Sequence, residues 1–238
     1  MEAILEVSGV GKNFGGFTAL SDVTLSVAPG ERLGLIGPNG SGKTTLINCI
    51  SGALFNDGGS IRFNGSEISR RSAHQRTRLG ISRSFQIPQP FRSMTVEDNL
   101  LVPLAYVGGM SGSSARKEAG RILEQMGLAA KSDMLSSQLS QVELRKMELA
   151  RAMAARPKLL ISDEAMAGLA GAEVDEVLEI LFELNSLGIT IIMIEHIMQA
   201  VMKFSQRVIC LDAGQIICEG TPQEIFNNPE VQRAYLGD

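Results

Sequence analysis

The sequence predicts an α/β fold: a parallel-sheet core with helices on both faces, an antiparallel β part near the N-terminus, and an inserted helical subdomain. Three observations predict it. Apolar strand signals at Leu159–Ser162, Ile189–Ile194 and Val208–Leu211 alternate with helical segments, most clearly Ala172–Leu187. Such alternation implies a parallel sheet covered on both faces. The run ITIIMI suits a strand buried on both faces. A Gly-rich loop also sits directly between the apolar strand Arg32–Ile36 and a helix over Thr44–Ile50.

The remaining elements follow in order. Ile4–Val7 and Ala19–Val27 partly alternate apolar and polar residues, as half-buried antiparallel strands do. Pro29-Gly30 marks a turn, and the helix after the loop stops near Gly52. Ser60–Phe63 followed by Asn64-Gly65 predicts a hairpin, because Asn-Gly favours the type I′ turn. From roughly 87 to 155 helical periodicity takes over, at Thr95–Leu101, Ala115–Met126 and Val142–Ala155. Gly108–Ser114 between them reads as a mobile loop. The expected division is a core over 1–86 and 156–238, with the helical subdomain over 87–155.

Composition excludes several classes. The 238 residues suffice for one large domain or a core with a subdomain. A net charge of -4 gives no general electrostatic reason to bind nucleic acid. The local basic stretch Arg70, Arg71, Arg76, Arg78 and Arg83 reads as a solvated helix face, and His74 within it as a surface residue. Cys49, Cys210 and Cys218 are odd in number and irregularly spaced, which argues against a disulfide framework. Each sits in an apolar stretch and reads as a small buried hydrophobe. The N-terminus lacks a secretory pattern, and no apolar run approaches the ~18 residues of a membrane span. The chain is expected not to cross a bilayer itself, which leaves open docking onto a protein that does.

The loop GPNGSGKTT spans Gly37, Pro38, Asn39, Gly40, Ser41, Gly42, Lys43, Thr44 and Thr45. It contains GxxxxGK[ST] in the strand–loop–helix context that motif requires. Glycines permit backbone conformations barred to other residues, so successive N–H groups can face phosphate oxygens. The helix N-terminus adds positive potential. Lys43 is expected to reach the β- and γ-phosphates of ATP, and Thr44 to ligate Mg²⁺. The expected core is thus a P-loop NTPase (RecA-like) fold.

Leu159–Ser162 ends in Asp163 and Glu164. Strand carboxyl ends line the ligand crevice of an open α/β sheet. Asp163 is placed to hold Mg²⁺, directly or through water, and Glu164 to polarise an attacking water. Glu195-His196 ends the next strand in the same way, and His196 is placed to sense the γ-phosphate.

With these motifs in place, the whole chain resembles the nucleotide-binding subunits of ABC transporters, with motifs in family order and spacing. It looks most like the subunits that power branched-chain amino acid importers, through KNFGGFTAL, RSFQIPQPFRSMTVEDNL, RKMELARAMAARPKLL and the C-terminal RAYLGD. The resemblance implies that Phe14 stacks on adenine. It implies that Gln86 contacts Mg²⁺ or the attacking water and links the site to the helical subdomain. It makes Glu164 the catalytic glutamate and His196 a catalytic histidine. Ala167-Gly168-Leu169-Ala170 falls where paired subunits communicate. Leu139-Ser140-Gln141-Val142-Glu143 matches the signature that closes over a partner's ATP in trans, and Ala150–Ala152 fixes the register.

Three positions depart from the family pattern. Val142 stands where glycine nearly always occurs, Ala165 where proline follows the glutamate, and Ile197 where aspartate often follows the histidine. A β-branched residue is stiff and resists unusual backbone angles.

The resemblance implies an ATP-hydrolysing subunit, peripheral on the cytoplasmic face of the bacterial inner membrane. Its implied partners are a second ATPase subunit, integral permeases and, indirectly, a substrate-binding protein. Val142 motivates a second reading, a hydrolysis-poor nucleotide-binding partner in a heterodimer. A third reading, a soluble ABC ATPase of translation or DNA repair, is disfavoured by the single cassette, the lack of a coiled-coil insertion and the net acidity.

Overall fold

The computed structural model describes residues 2–85 and 87–236. Gln86, Gly237 and Asp238, to which the sequence assigned readings, lie outside the described residues.

The chain opens with a long hairpin, β1 (Leu5–Phe14) and β2 (Phe17–Val27), followed by β3 (Arg32–Ile36) and α1 (Lys43–Ser51). β1 runs on well past the expected Val7. Its register with β2 shifts between Val7 and Val10, between Val10 and Lys12, and again before Asn13. These irregularities break the alternation by which a strand is read from sequence.

β4 (Gly58–Phe63) and β5 (Ser66–Glu67) form the predicted second hairpin. Asn64 at φ 48 and Gly65 at φ 72 supply the two positive angles of a type I′ turn. Then come α2 (Ala73–Leu79), β6 (Ile81–Ser84), α3 (Val96–Tyr106), α4 (Gly112–Gln125) and α5 (Gln141–Ala154). Helix α4 begins at Gly112, so only the first part of the expected loop Gly108–Ser114 is a loop.

The last third alternates: β7 (Leu159–Asp163), α6 (Ala172–Ser186), β8 (Thr190–Ile194), α7 (Met198–Phe204), β9 (Arg207–Asp212). It closes with β10 (Gln215–Gly220), α8 (Pro222–Phe226) and α9 (Pro229–Leu236).

Two sheets result. One is antiparallel in the order β2-β1-β4-β5, and the other has the order β10-β9-β3-β8-β7-β6. In the larger sheet the pairs from β9 to β6 are parallel, and β10 closes the edge antiparallel to β9.

All residues of β7 and β8 are buried, as a strand covered on both faces requires. Their side chains divide by strand periodicity. Leu159, Ile161, Ile192 and Ile194 join the core shared with α1 and the antiparallel sheet. Leu160, Ile191 and Met193 join the core shared with α3, α4, α5 and α6. Alternate side chains thus glue one layer to each face of the sheet.

The basic stretch is not a uniformly solvated face. Arg70, Arg71, Arg78 and His74 are exposed as expected. Arg76 is fully buried. Its guanidinium donates to the carbonyls of Cys49 at 2.5 Å, Ile50 at 2.8 Å, Ser69 at 3.0 Å and Arg71 at 2.9 Å. The α1 C-terminus leaves carbonyls without helical partners, and a cation there answers both their bonding and the helix dipole. Cys49 and Cys210 are buried, whereas Cys218 is half-buried and its Sγ accepts from Asn228 Nδ2 at 2.9 Å.

Arg76→Met keeps the stem and removes every donor. We expect it to lower unfolding free energy by about 3 kcal/mol in urea titrations, because several buried carbonyls lose their partner together.

Candidate functional site

The site forms where neighbouring strands of the parallel sheet end. β8 lies between β3 and β7, so the phosphate loop, His196 and the Asp163-Glu164 pair emerge side by side.

Gly37, Gly40 and Gly42 have φ of 147, 82 and 105. Gly37 is also constrained by space: a Cβ there would lie 2.0 Å from the Leu211 carbonyl oxygen. Glycine is required at that point for both reasons. Behind the loop, the Gly37 N–H donates to the Tyr235 hydroxyl at 2.8 Å.

Lys43 is buried, and its ammonium donates to the carbonyls of Gly37 at 2.7 Å and Pro38 at 2.8 Å. Burial holds its pKa below the usual lysine value, while Glu164, Cys210 and Asp163 nearby act to raise it. The ammonium thus closes the loop on itself.

A cleft of about 280 Å³ faces this loop, lined by Asn39 to Thr45 together with Phe14, Phe17, Ala19, Glu164 and His196. Phe14 and Phe17 are paired across the first hairpin and are 47% and 62% exposed. The sequence singled out Phe14 alone; the Gly15-Gly16 turn brings Phe17 to the same rim.

At the other wall Glu164 has φ 48, a conformation unusual for a residue with a side chain. Its N–H donates to the Ile194 carbonyl at 2.9 Å, and its Oε1 lies 2.8 Å from His196 Nε2. The two side chains chosen from sequence are therefore in direct contact.

Asp163 sits deeper. Its Oδ2 accepts from Arg83 Nη2 at 2.5 Å and Nε at 3.1 Å, while Arg83 Nη1 donates to Asn48 Oδ1 at 2.6 Å. Arg83 was read as part of a solvated face; it belongs instead to the polar network beneath the cleft.

Glu195 was passed over, yet it is 1% exposed and accepts from the Met166 N–H at 3.0 Å. Burial, aided by the Glu164 charge, pushes its pKa up to about 7, against the opposing N–H of Met166.

The set Thr44, Asp163 and the phosphates of a nucleotide would offer oxygen donors, which is what Mg²⁺ selects. Among the described residues no cluster of three or more His, Cys, Asp or Glu forms a freestanding metal site.

Ser140, Gln141, Val142 and Glu143 are not in the lining of this cleft. Ser140 caps α5 in a capping box with Glu143: its Oγ accepts from the Glu143 N–H at 3.4 Å, and its own N–H donates to Glu143 Oε2 at 2.9 Å. Glu143 also pairs with Lys131. Val142 lies in the first turn of α5, without a positive φ, and packs partly buried against the helical core. Valine therefore sits here without backbone strain.

Gln141 lies over Gly168, where a Cβ would come within 2.5 Å of its Nε2, and Arg145 donates to the Ala167 carbonyl at 2.8 Å. The start of α5 thus abuts the Ala167–Ala170 segment.

Fold and cleft together define a phosphate-loop nucleotide-binding protein. The ABC transporter family model matches residues 20–167, and a model of the branched-chain amino acid ATP-binding cassette transporter C-terminus matches 215–238. The chain belongs to the ABC transporter family, as an ATPase subunit.

It is 39% identical to a probable branched-chain amino acid transport ATP-binding protein, LivG, of Archaeoglobus fulgidus, over 98% of this chain and 95% of that protein. The high-affinity LivG protein of Escherichia coli K12 is 38% identical, over 100% and 99%. The lipopolysaccharide export ATP-binding protein LptB of Haemophilus influenzae is 33% identical, over 99% and 98%. Among solved structures, an ATP-binding cassette in its ADP conformation matches with a TM-score of 0.92 and 33% identity, over the full length of both chains. A dimeric cassette in a post-hydrolysis state with ADP and phosphate matches at 0.82 and 25%, over 92% and 98%.

Glu195 generates a pH prediction. In the folded chain it keeps its proton to about pH 7, against 4.5 ordinarily. Its contribution to stability is present below the lower value and is lost as pH rises through the higher. Comparing the parent with Glu195→Gln by urea unfolding across that range, we expect the difference in stability to change by about 3 kcal/mol, the parent losing stability towards pH 7.

Proposed function

We propose that this chain hydrolyses ATP in its cleft to drive import of branched-chain or other hydrophobic amino acids. The contact that carries the catalytic reading is Glu164 Oε1 to His196 Nε2 at 2.8 Å, at the mouth of the phosphate loop. The names of the LivG relatives and the matching C-terminal model support the substrate class.

The chemistry asks for positioning and charge stabilisation rather than a covalent intermediate. Lys43 exchanges its loop carbonyls for the β- and γ-phosphates. Phe14 stacks on the adenine, and the amides of Gly37 to Thr45 face the phosphates. Glu164 orients and polarises water, and His196 holds Glu164 and contacts the γ-phosphate. Thr44 and Asp163, with Gln86, would hold Mg²⁺, which supplies charge neutralisation on the phosphates. Ser140 to Glu143 reach a partner's nucleotide in trans, so the working unit is a pair of cassettes; the dimeric cassette among the structural matches supports this.

Among the described residues no helix is long and apolar enough to cross a membrane. Docking to permeases falls to a groove of about 460 Å³, whose lining includes Phe85, Phe91, Tyr106 and Arg151. It lies between the core and the helices α3 and α5, and we assign 87–155 as the subdomain that transmits motion to it. The assembly then sits on the cytoplasmic face of the inner membrane and receives substrate from a binding protein.

Two measurements check this reading. Glu164→Gln should cut steady-state turnover of the assembled complex by about 100-fold or more while ATP binding persists. Unchanged turnover would remove Glu164 from its role. For Val142→Gly we expect ATPase activity within about twofold of the parent, with stability lower by about 1 kcal/mol from glycine in a helix. A tenfold gain in activity would instead favour the hydrolysis-poor partner.

A further inference from the structure

The last helix reaches the phosphate loop. Val231 and Tyr235 are four residues apart on α9 and therefore share one face. Val231 is buried in a small cluster with Ile36, Val208 and Cys210. Ile36 is the residue immediately before Gly37. The same face of α9 thus seats an apolar side chain on the end of β3 and a hydroxyl on the next peptide, across 198 residues of sequence. The start of α9 is fixed as well, by Asn228 Oδ1, which accepts from the Glu230 N–H at 2.8 Å.

We infer that Tyr235 is a positioning residue for nucleotide binding, its phenol holding the first peptide of the phosphate loop in the conformation that receives phosphate. The reason lies in what happens at the next peptide, Gly37–Pro38. The Gly37 carbonyl is held by Lys43, whose ammonium the nucleotide reading turns towards the phosphates. The Tyr235 bond lies behind the loop and survives that exchange. Tyr235 is 39% exposed, so core packing alone does not account for an aromatic residue here. Burial of its hydroxyl end raises the phenol pKa, against the Gly37 N–H that acts to lower it.

This inference rests on reading Gly37–Thr45 as the nucleotide loop, and the test separates the two. ATP and ADP are titrated with Mg²⁺ into the full chain and into Tyr235→Phe by calorimetry. Hydrogen exchange of the 33–46 segment is followed without nucleotide. Loss of one net hydrogen bond predicts a Kd raised about 3- to 10-fold for both nucleotides in the variant. Exchange in the segment should be faster, and maximal turnover of the assembled complex should stay within about twofold. An unchanged Kd in the variant, even with a lower melting temperature, overturns the inference, because Tyr235 would then be structural only. Failure of the parent chain to bind either nucleotide would overturn the reading of the loop, and the inference with it.

Discussion

The structure turns on one buried ammonium. Lys43 bonds to the carbonyls of Gly37 and Pro38, and so ties the loop back onto the start of α1. That arrangement is possible only because Gly37 lies flat against the Leu211 carbonyl, where no Cβ fits. A buried ammonium bonded to neutral carbonyls can make stronger, charge-assisted bonds to an incoming polyphosphate. The loop is therefore preorganised for an anion, and the rest of the sheet is arranged around that fact.

The arrangement follows from strand order. With β8 between β3 and β7, three strand ends deliver phosphate amides, a histidine and three acidic side chains to one edge. Each acidic residue there meets a different surrounding. Glu164 lines the open cleft against His196, Asp163 is held by Arg83, and Glu195 is buried under a backbone N–H. Neighbouring carboxylates thus separate into a group available to water, a neutralised one and one that keeps its proton to about pH 7.

Much of this was legible in the sequence because local signals and tertiary structure agree. β3 is found as predicted, the Asn64-Gly65 turn has the expected geometry, and β7 and β8 are buried throughout. The misses have physical causes. β1 continues through irregular register that erases alternation, and β6 is too short and polar, as ISRS, to register. Arg76 and Arg83 look like surface charge until carbonyls of α1 and the Asp163 carboxylate are brought to them. Phe17 joins the site through the tight Gly15-Gly16 hairpin, and Tyr235 through the closing helix, 198 residues from the peptide it holds.

The central claim is that the Lys43 ammonium is the anchor for the nucleotide phosphates. Calorimetric titration of Mg-ATP into Lys43→Met tests it most directly, since methionine keeps the stem and removes the charge. The account predicts affinity weakened by about 100-fold or more, as befits a desolvated charge–phosphate contact. An affinity within about threefold of the parent, in a variant that remains folded, would contradict it.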